Sequence, residues 1–160
     1  MLAFGTIRPL EIRDLPSLNH DSRPGGAVVD TVVLHATVFE TLKETAARFA
    51  DPDSRVSAHY TIDRDGLIAR HVEESRRAWH AGESRMRDGR ASVNDFSIGI
   101  ELVNRNDGAD PYPAAQVGSL RRLLSDLRSR HPIRHAVSHA EIAIPHGRKT
   151  DPAGLDFSAL

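Results

Sequence analysis

The apolar and polar positions of this chain repeat with different periods in successive segments. Residues 28–36, "VVDTVVLHA", form a β-branched run reaching His35, the composition of a buried strand. Thr41 to Glu44, "TLKE", has the form of a capping box. Leu42, Ala46 and Phe49 then recur at helical spacing, which predicts a short helix over 41–50 halted by Asp51-Pro52. "SAHYTID" alternates as a strand does, and "RDG" turns it into "LIARHV", so a hairpin is expected. "FSIGIELV", residues 96–103, reads as a further buried strand, with Gly99 marking a close approach.

From Pro113 to Arg130 the apolar positions Val117, Leu120, Leu123, Leu124 and Leu127 fall on one helix face, and Pro132 stops that helix. "IRHAVSHAEIA" is expected to be a last strand reaching His139, followed by loop. Residues 1–28, rich in Pro, Asn, Asp and Gly, read as an irregular arm. This succession of strands and helices predicts the α/β class, with helices packed on one central mixed sheet.

Length fits one domain, because a chain of about 150 residues buries roughly 68–70% of its unfolded surface. The 160 residues are therefore expected to form a single domain, 1–160, and a monomer. A formal net charge of −1 argues against a general polyanion binder such as a nucleic-acid protein. Arginine pairs and clusters at Arg76-Arg77, Arg85 to Arg90 and Arg121-Arg122 read as solvated faces, with an anionic contact as the rarer alternative. No stretch approaches the 18 or so apolar residues of a membrane span, and the opening residues carry no leader pattern. The cytoplasm is favoured on that basis, with periplasm or export left open to a processed chain.

The absence of cysteine leaves His and carboxylate as the good transition-metal donors, and there are nine histidines. His35 and His139 each close a predicted strand, and Asp151 follows twelve residues after His139. Two imidazoles and one carboxylate suit a catalytic zinc with an open position. From spacing alone this signal is weak, and the same histidines read more readily as hydrogen-bonded core or surface residues. Lys149 is one of two lysines among twenty-one basic residues, so it marks either a place for a compact ammonium or an ordinary surface position. Glu101 is a carboxylate inside an apolar strand, costly unless partnered, or else turned to solvent.

Five blocks, "TVVLHAT" (31–37), "VSAHYTIDRDG" (56–66), "RAWHAG" (77–82), "NDFSIGIEL" (94–102) and "SHAEIA…RKTDP" (138–152), together resemble the zinc-dependent N-acetylmuramoyl-L-alanine amidases. That family includes muropeptide-recycling amidases, phage lysozyme-type amidases and peptidoglycan-recognition proteins. The resemblance implies their fold, a mixed sheet flanked by helices, and a peptidoglycan or soluble muropeptide substrate. It implies zinc on His35, His139 and Asp151, with Glu101 and Lys149 catalytic.

Trp79, His80, Ala81 and Gly82 would line the substrate cleft, and His59 would be structural. Asp as the third ligand, rather than Cys, places the chain nearer the recycling enzymes. The link Ile144 to Gly147 is longer than theirs, and its His146 is expected to be exposed. The implied reaction is hydrolysis of the amide between N-acetylmuramic acid, or its anhydro form, and L-alanine of the stem peptide. A non-catalytic muropeptide-binding module is the alternative, disfavoured by the intact set of five residues. A zinc peptidase of the H-E-x-x-H type finds no such motif.

Overall fold

A computed structural model describes residues 9–160. The chain runs β1 (Ile12–Asp14), β2 (His20–Ser22), β3 (Thr31–Ala36), α1 (Leu42–Ala50), β4 (Tyr60–Ile62), β5 (Ile68–Arg70), β6 (Arg76–Ala78), β7 (Ser97–Leu102), α2 (Ala114–Arg130), β8 (His135–Ser138) and a single helical turn, α3 (His139–Ile142). Six strands form a mixed sheet in the order β1-β5-β4-β7-β3-β8, while β2 and β6 make a separate ribbon. Strands β4, β7, β3 and β8 are mutually parallel, and the antiparallel β4–β5 hairpin reverses the direction at the β1 side. The predicted α/β class and helix-flanked mixed sheet are what the structure has.

Alternation divides the central strands between two layers. Val32 and Leu34 of β3 and Ile98, Ile100 and Leu102 of β7 bury against Leu120, Leu123, Leu124 and Leu127 of α2. Fully burying one such aliphatic side chain contributes about 1.5–3 kcal/mol, so this face is the main source of stability. The intervening residues, Val33 and His35 of β3 with Gly99 and Glu101 of β7, face the other way. On that second face α1 packs Leu42 against Ala69 and Val103, and sets Phe49 edge-on to His71 at 5.1 Å. Thr41 caps α1 as expected, accepting from the Glu44 amide at 3.2 Å.

Two expectations need correction. The arm read as irregular contains β1 and β2; its residues 1–8 lie outside the described ones. Neither strand has a period of its own. Strand β1 is defined by pairing with β5 and by an Arg70–Asp14 ion pair of 2.8 Å, and β2 by pairing with β6, where Arg77 bridges Asp21 and Asp95 at 2.6 Å each. Arg76 and Arg77 thus tie down the arm rather than form a free solvated face. The second correction concerns His139. It opens α3 instead of ending a strand, because the Ser138 hydroxyl accepts from the Glu141 amide at 3.1 Å and caps a helical turn there.

His59 and His71 are buried as neutral rings. His59 Nδ1 accepts from the Gly99 amide at 3.0 Å with the Arg23 guanidinium at 3.1 Å from its other nitrogen, and His71 bridges the Leu15 carbonyl and the Thr61 hydroxyl at 2.7 and 2.9 Å. Burial first, then for His59 the Arg23 charge, pushes them from 6.5 down to about 3 and about 4. The unfolded chain therefore binds these protons at a pH where the folded one does not. Stability is full above about pH 6.5 and falls toward pH 4, by up to about 1.4 kcal/mol per pH unit per histidine. Urea midpoints measured from pH 7 to 4 should show that slope, and His71→Gln should flatten it.

Candidate active site

Parallel strands bring His35 and Glu101 side by side, since β3 pairs with β7 in the register His35↔Glu101. The third strand of this group, β8, delivers His139 at its carboxyl end through α3. Open α/β sheets expose functional side chains at that end of their strands. Asp151 returns to the same place because its carbonyl accepts from the Ala140 amide at 3.0 Å. Asn106, held at φ 58°, fixes the returning loop from the other side: its side chain donates to Thr150 Oγ1 at 3.1 Å and accepts from the Ala153 amide at 2.7 Å.

Nδ1 of His35, Nδ1 of His139 and Oδ2 of Asp151 converge, with pairwise separations of 3.0, 3.1 and 3.2 Å. Tetrahedral zinc holds nitrogen and oxygen donors at about 2.0–2.2 Å, which places them about 3.3 Å apart, close to this triangle. His139 gives its Nε2 proton to the Ala81 carbonyl at 3.1 Å, so its Nδ1 presents a lone pair. Burial pushes His35 down to about 4, leaving that ring neutral at pH 7. Lone pairs gathered around an ionised, buried carboxylate are unfavourable unless a cation joins them. The three residues can hold a metal ion.

A cavity of about 210 Å³ opens over this triangle, lined among others by Trp79, Glu101, Lys149, Phe49 and Val38. Glu101 Oε2 is buried there and accepts no hydrogen bond from the protein. Burial, and then the charge of Asp151, raise the Glu101 carboxyl to about 8, while Lys149 opposes the rise. A carboxyl tuned near neutral pH and open to a cavity is suited to moving a proton. Lys149 itself is solvent-exposed at the rim.

Among the Trp79–Gly82 residues, Trp79 borders the cavity, half-buried. His80 borders it too, with Nδ1 3.0 Å from His35 Nε2 and Nε2 3.1 Å from the Ser97 hydroxyl. Ala81 is fully buried and Gly82 packs against Arg148, and neither borders the cavity. Their contribution is through the backbone, since the Ala81 carbonyl orients His139 and also accepts from Arg148 at 3.3 Å. Arg148 ties the link Ile144 to Gly147 to the Glu83 carbonyl at 2.7 Å, and His146 is exposed and borders no part of the cavity.

Comparison with known proteins agrees in family and fold. The profile of the N-acetylmuramoyl-L-alanine amidase family matches residues 25–154. The 1,6-anhydro-N-acetylmuramyl-L-alanine amidase AmpD of Enterobacter cloacae is 35% identical over 93% of this chain and 88% of its own. The crystal structure of a selenomethionine AmpD derivative superposes with a TM-score of 0.83 at 34% identity, covering 95% of this chain and 93% of that one. Escherichia coli AmiD, solved with anhydro-N-acetylmuramic acid-L-Ala-D-γ-Glu-L-Lys, superposes at 0.69 with 32% identity over 81% of this chain and 55% of its own.

Proposed function

The chain belongs to the N-acetylmuramoyl-L-alanine amidase family, and on that premise we propose that it is a zinc-dependent amidase of soluble anhydro-muropeptides, folded as one catalytic domain and working in the cytoplasm. The bond cut is the amide between the lactyl group of the anhydro-muramic acid and L-alanine of the stem peptide. Support for the substrate comes from the relatives, whose names and bound substrate carry the anhydro sugar. No helix among the described residues is long and apolar enough to cross a membrane.

One observation carries the chemistry: the three convergent donor atoms and the unpartnered Glu101 Oε2 share a single cavity. His35, His139 and Asp151 would hold zinc, which when bound supplies Lewis-acid polarisation of the scissile carbonyl and of water. Glu101 takes the proton of the attacking water and later delivers it to the leaving amine of L-alanine. Lys149, at the rim, places an ammonium toward the developing oxyanion. Trp79 offers a flat apolar wall to the substrate.

Lys149→Ala should lower kcat by about 10²–10³, the usual cost of removing one oxyanion stabiliser. It should also shift the acid limb of the rate profile to higher pH, because Lys149 is the charge that holds the Glu101 carboxyl down. A near-wild-type rate would remove Lys149 from the mechanism. The function itself is tested by following release of free stem peptide by mass from soluble anhydro-muropeptide and from intact sacculi, with zinc and with chelator. Zinc-dependent release from the soluble substrate alone is the expected result; release from sacculi as well would make the enzyme wall-lytic. No release from either, with zinc bound, would leave a recognition module.

A further inference from the structure

Behind His35 a chain of hydrogen bonds admits one proton arrangement. The Ser97 hydroxyl donates to the Val93 carbonyl at 2.6 Å, so toward His80 Nε2, 3.1 Å away, it has only a lone pair to offer. His80 therefore carries its proton on Nε2 and donates to Ser97. Its Nδ1 is then an acceptor, and His35 Nε2, at 3.0 Å, donates to it. That leaves His35 protonated on Nε2 and bare on Nδ1, the atom that faces His139 and Asp151. The reverse arrangement would need the Ser97 hydroxyl to abandon Val93 and would drive a His35 Nδ1 proton into the donor triangle.

The backbone is shaped to admit this ring. A Cβ built on Gly99 would lie 2.5 Å from His80 Cγ and 2.8 Å from its Nδ1, so any larger residue would evict the imidazole. The Asn94 side chain fixes the ring's own backbone, accepting from the His80 and Ala81 amides at 3.2 and 2.9 Å. The residue that looked like a substrate contact is thus built into the support of the site.

We infer that His80 and Ser97 are positioning residues that set the tautomer of His35, presenting its bare Nδ1 to the metal, and that Gly99 is the seat of the His80 ring. This rests on the metal reading above. Partners behind a metal-bound imidazole fix its orientation and basicity, and losing them costs about 10–100-fold in metal affinity.

The test has two readouts. First, long-range ¹⁵N–¹H NMR of the metal-free protein reports the His35 tautomer without any metal: wild type should show Nε2 protonated and Nδ1 bare, and Ser97→Ala a mixture. Second, Zn²⁺ competition with a chromophoric chelator should show about 10–100-fold weaker binding in Ser97→Ala and His80→Phe. Ser97→Thr, which keeps the hydroxyl, should restore it. His35 protonated on Nδ1 in the wild type, or equal zinc affinity in all variants, overturns the inference. If the wild type binds no zinc while the tautomer is as stated, the metal reading fails and the positioning role stands. Should a variant not fold, the wild-type tautomer alone decides.

Discussion

Glu101→Gln is expected to keep its zinc and lose about 10²–10⁴-fold in turnover, the usual contribution of a general base, because no second carboxylate borders the cavity except Asp151. Glutamine preserves size and strand pairing but cannot take a proton. In the metal-free protein the Glu101 carboxyl titrates at about 8, raised first by burial and next by Asp151. A cation among His35, His139 and Asp151 would offset the second cause and draw the carboxyl down, so that it is ionised near neutral pH. The wild-type rate should therefore rise with pH through the Glu101 titration.

The same substitution carries a stability signature of opposite sign. A carboxyl whose folded pKa exceeds its unfolded value of 4.5 favours the fold only while protonated. That contribution is full below about pH 4.5 and is lost as pH rises through about 8. Metal-free Glu101→Gln should consequently melt higher than metal-free wild type above pH 8 and near it below pH 4.5. Activity near wild type would show that Glu101 is not the base, and a melting difference running the other way would show that its carboxyl is not enclosed.

Much of the frame, and the residues that converge at its edge, are legible in the sequence. Strands β3 and β7 announced themselves because they are buried on both faces and so are almost continuously apolar, which makes the exceptions His35 and Glu101 conspicuous. Helix α2 was legible from its leucine spacing. The three-residue strands β1, β2 and β6 were not, for no period fits in three residues and their partners lie far along the chain. At α3 the sequence carries a competing signal, since Ser138 to Glu141 has capping-box form within a segment whose apolar run predicts strand. The direction of His80 could not be read locally, because it depends on space left by Gly99, nineteen residues later. Asn106 and Arg148, which fix the loop carrying Lys149 and Asp151, stand in turn-like stretches with nothing to single them out.

Asp151→Ala should abolish tight zinc binding while leaving the loop in place. Docking of that loop runs through backbone and through Asn106, namely the Asp151 carbonyl with Ala140 and the Asn106 side chain with Thr150 and Ala153, none of which the substitution touches. What it removes is the anionic member of the triangle, and two neutral imidazoles are one ligand short of a catalytic zinc site. Dialysed variant should thus contain no zinc and hydrolyse nothing. Metal that binds only the folded chain stabilises it by about 4 kcal/mol at a free concentration a thousand times its Kd. Wild type should therefore lose several degrees of Tm on chelation, and Asp151→Ala should lose none. Full zinc occupancy in the dialysed variant would show that the third donor lies elsewhere. A chelator effect of equal size in both proteins would show that the stabilising ion sits outside this triangle.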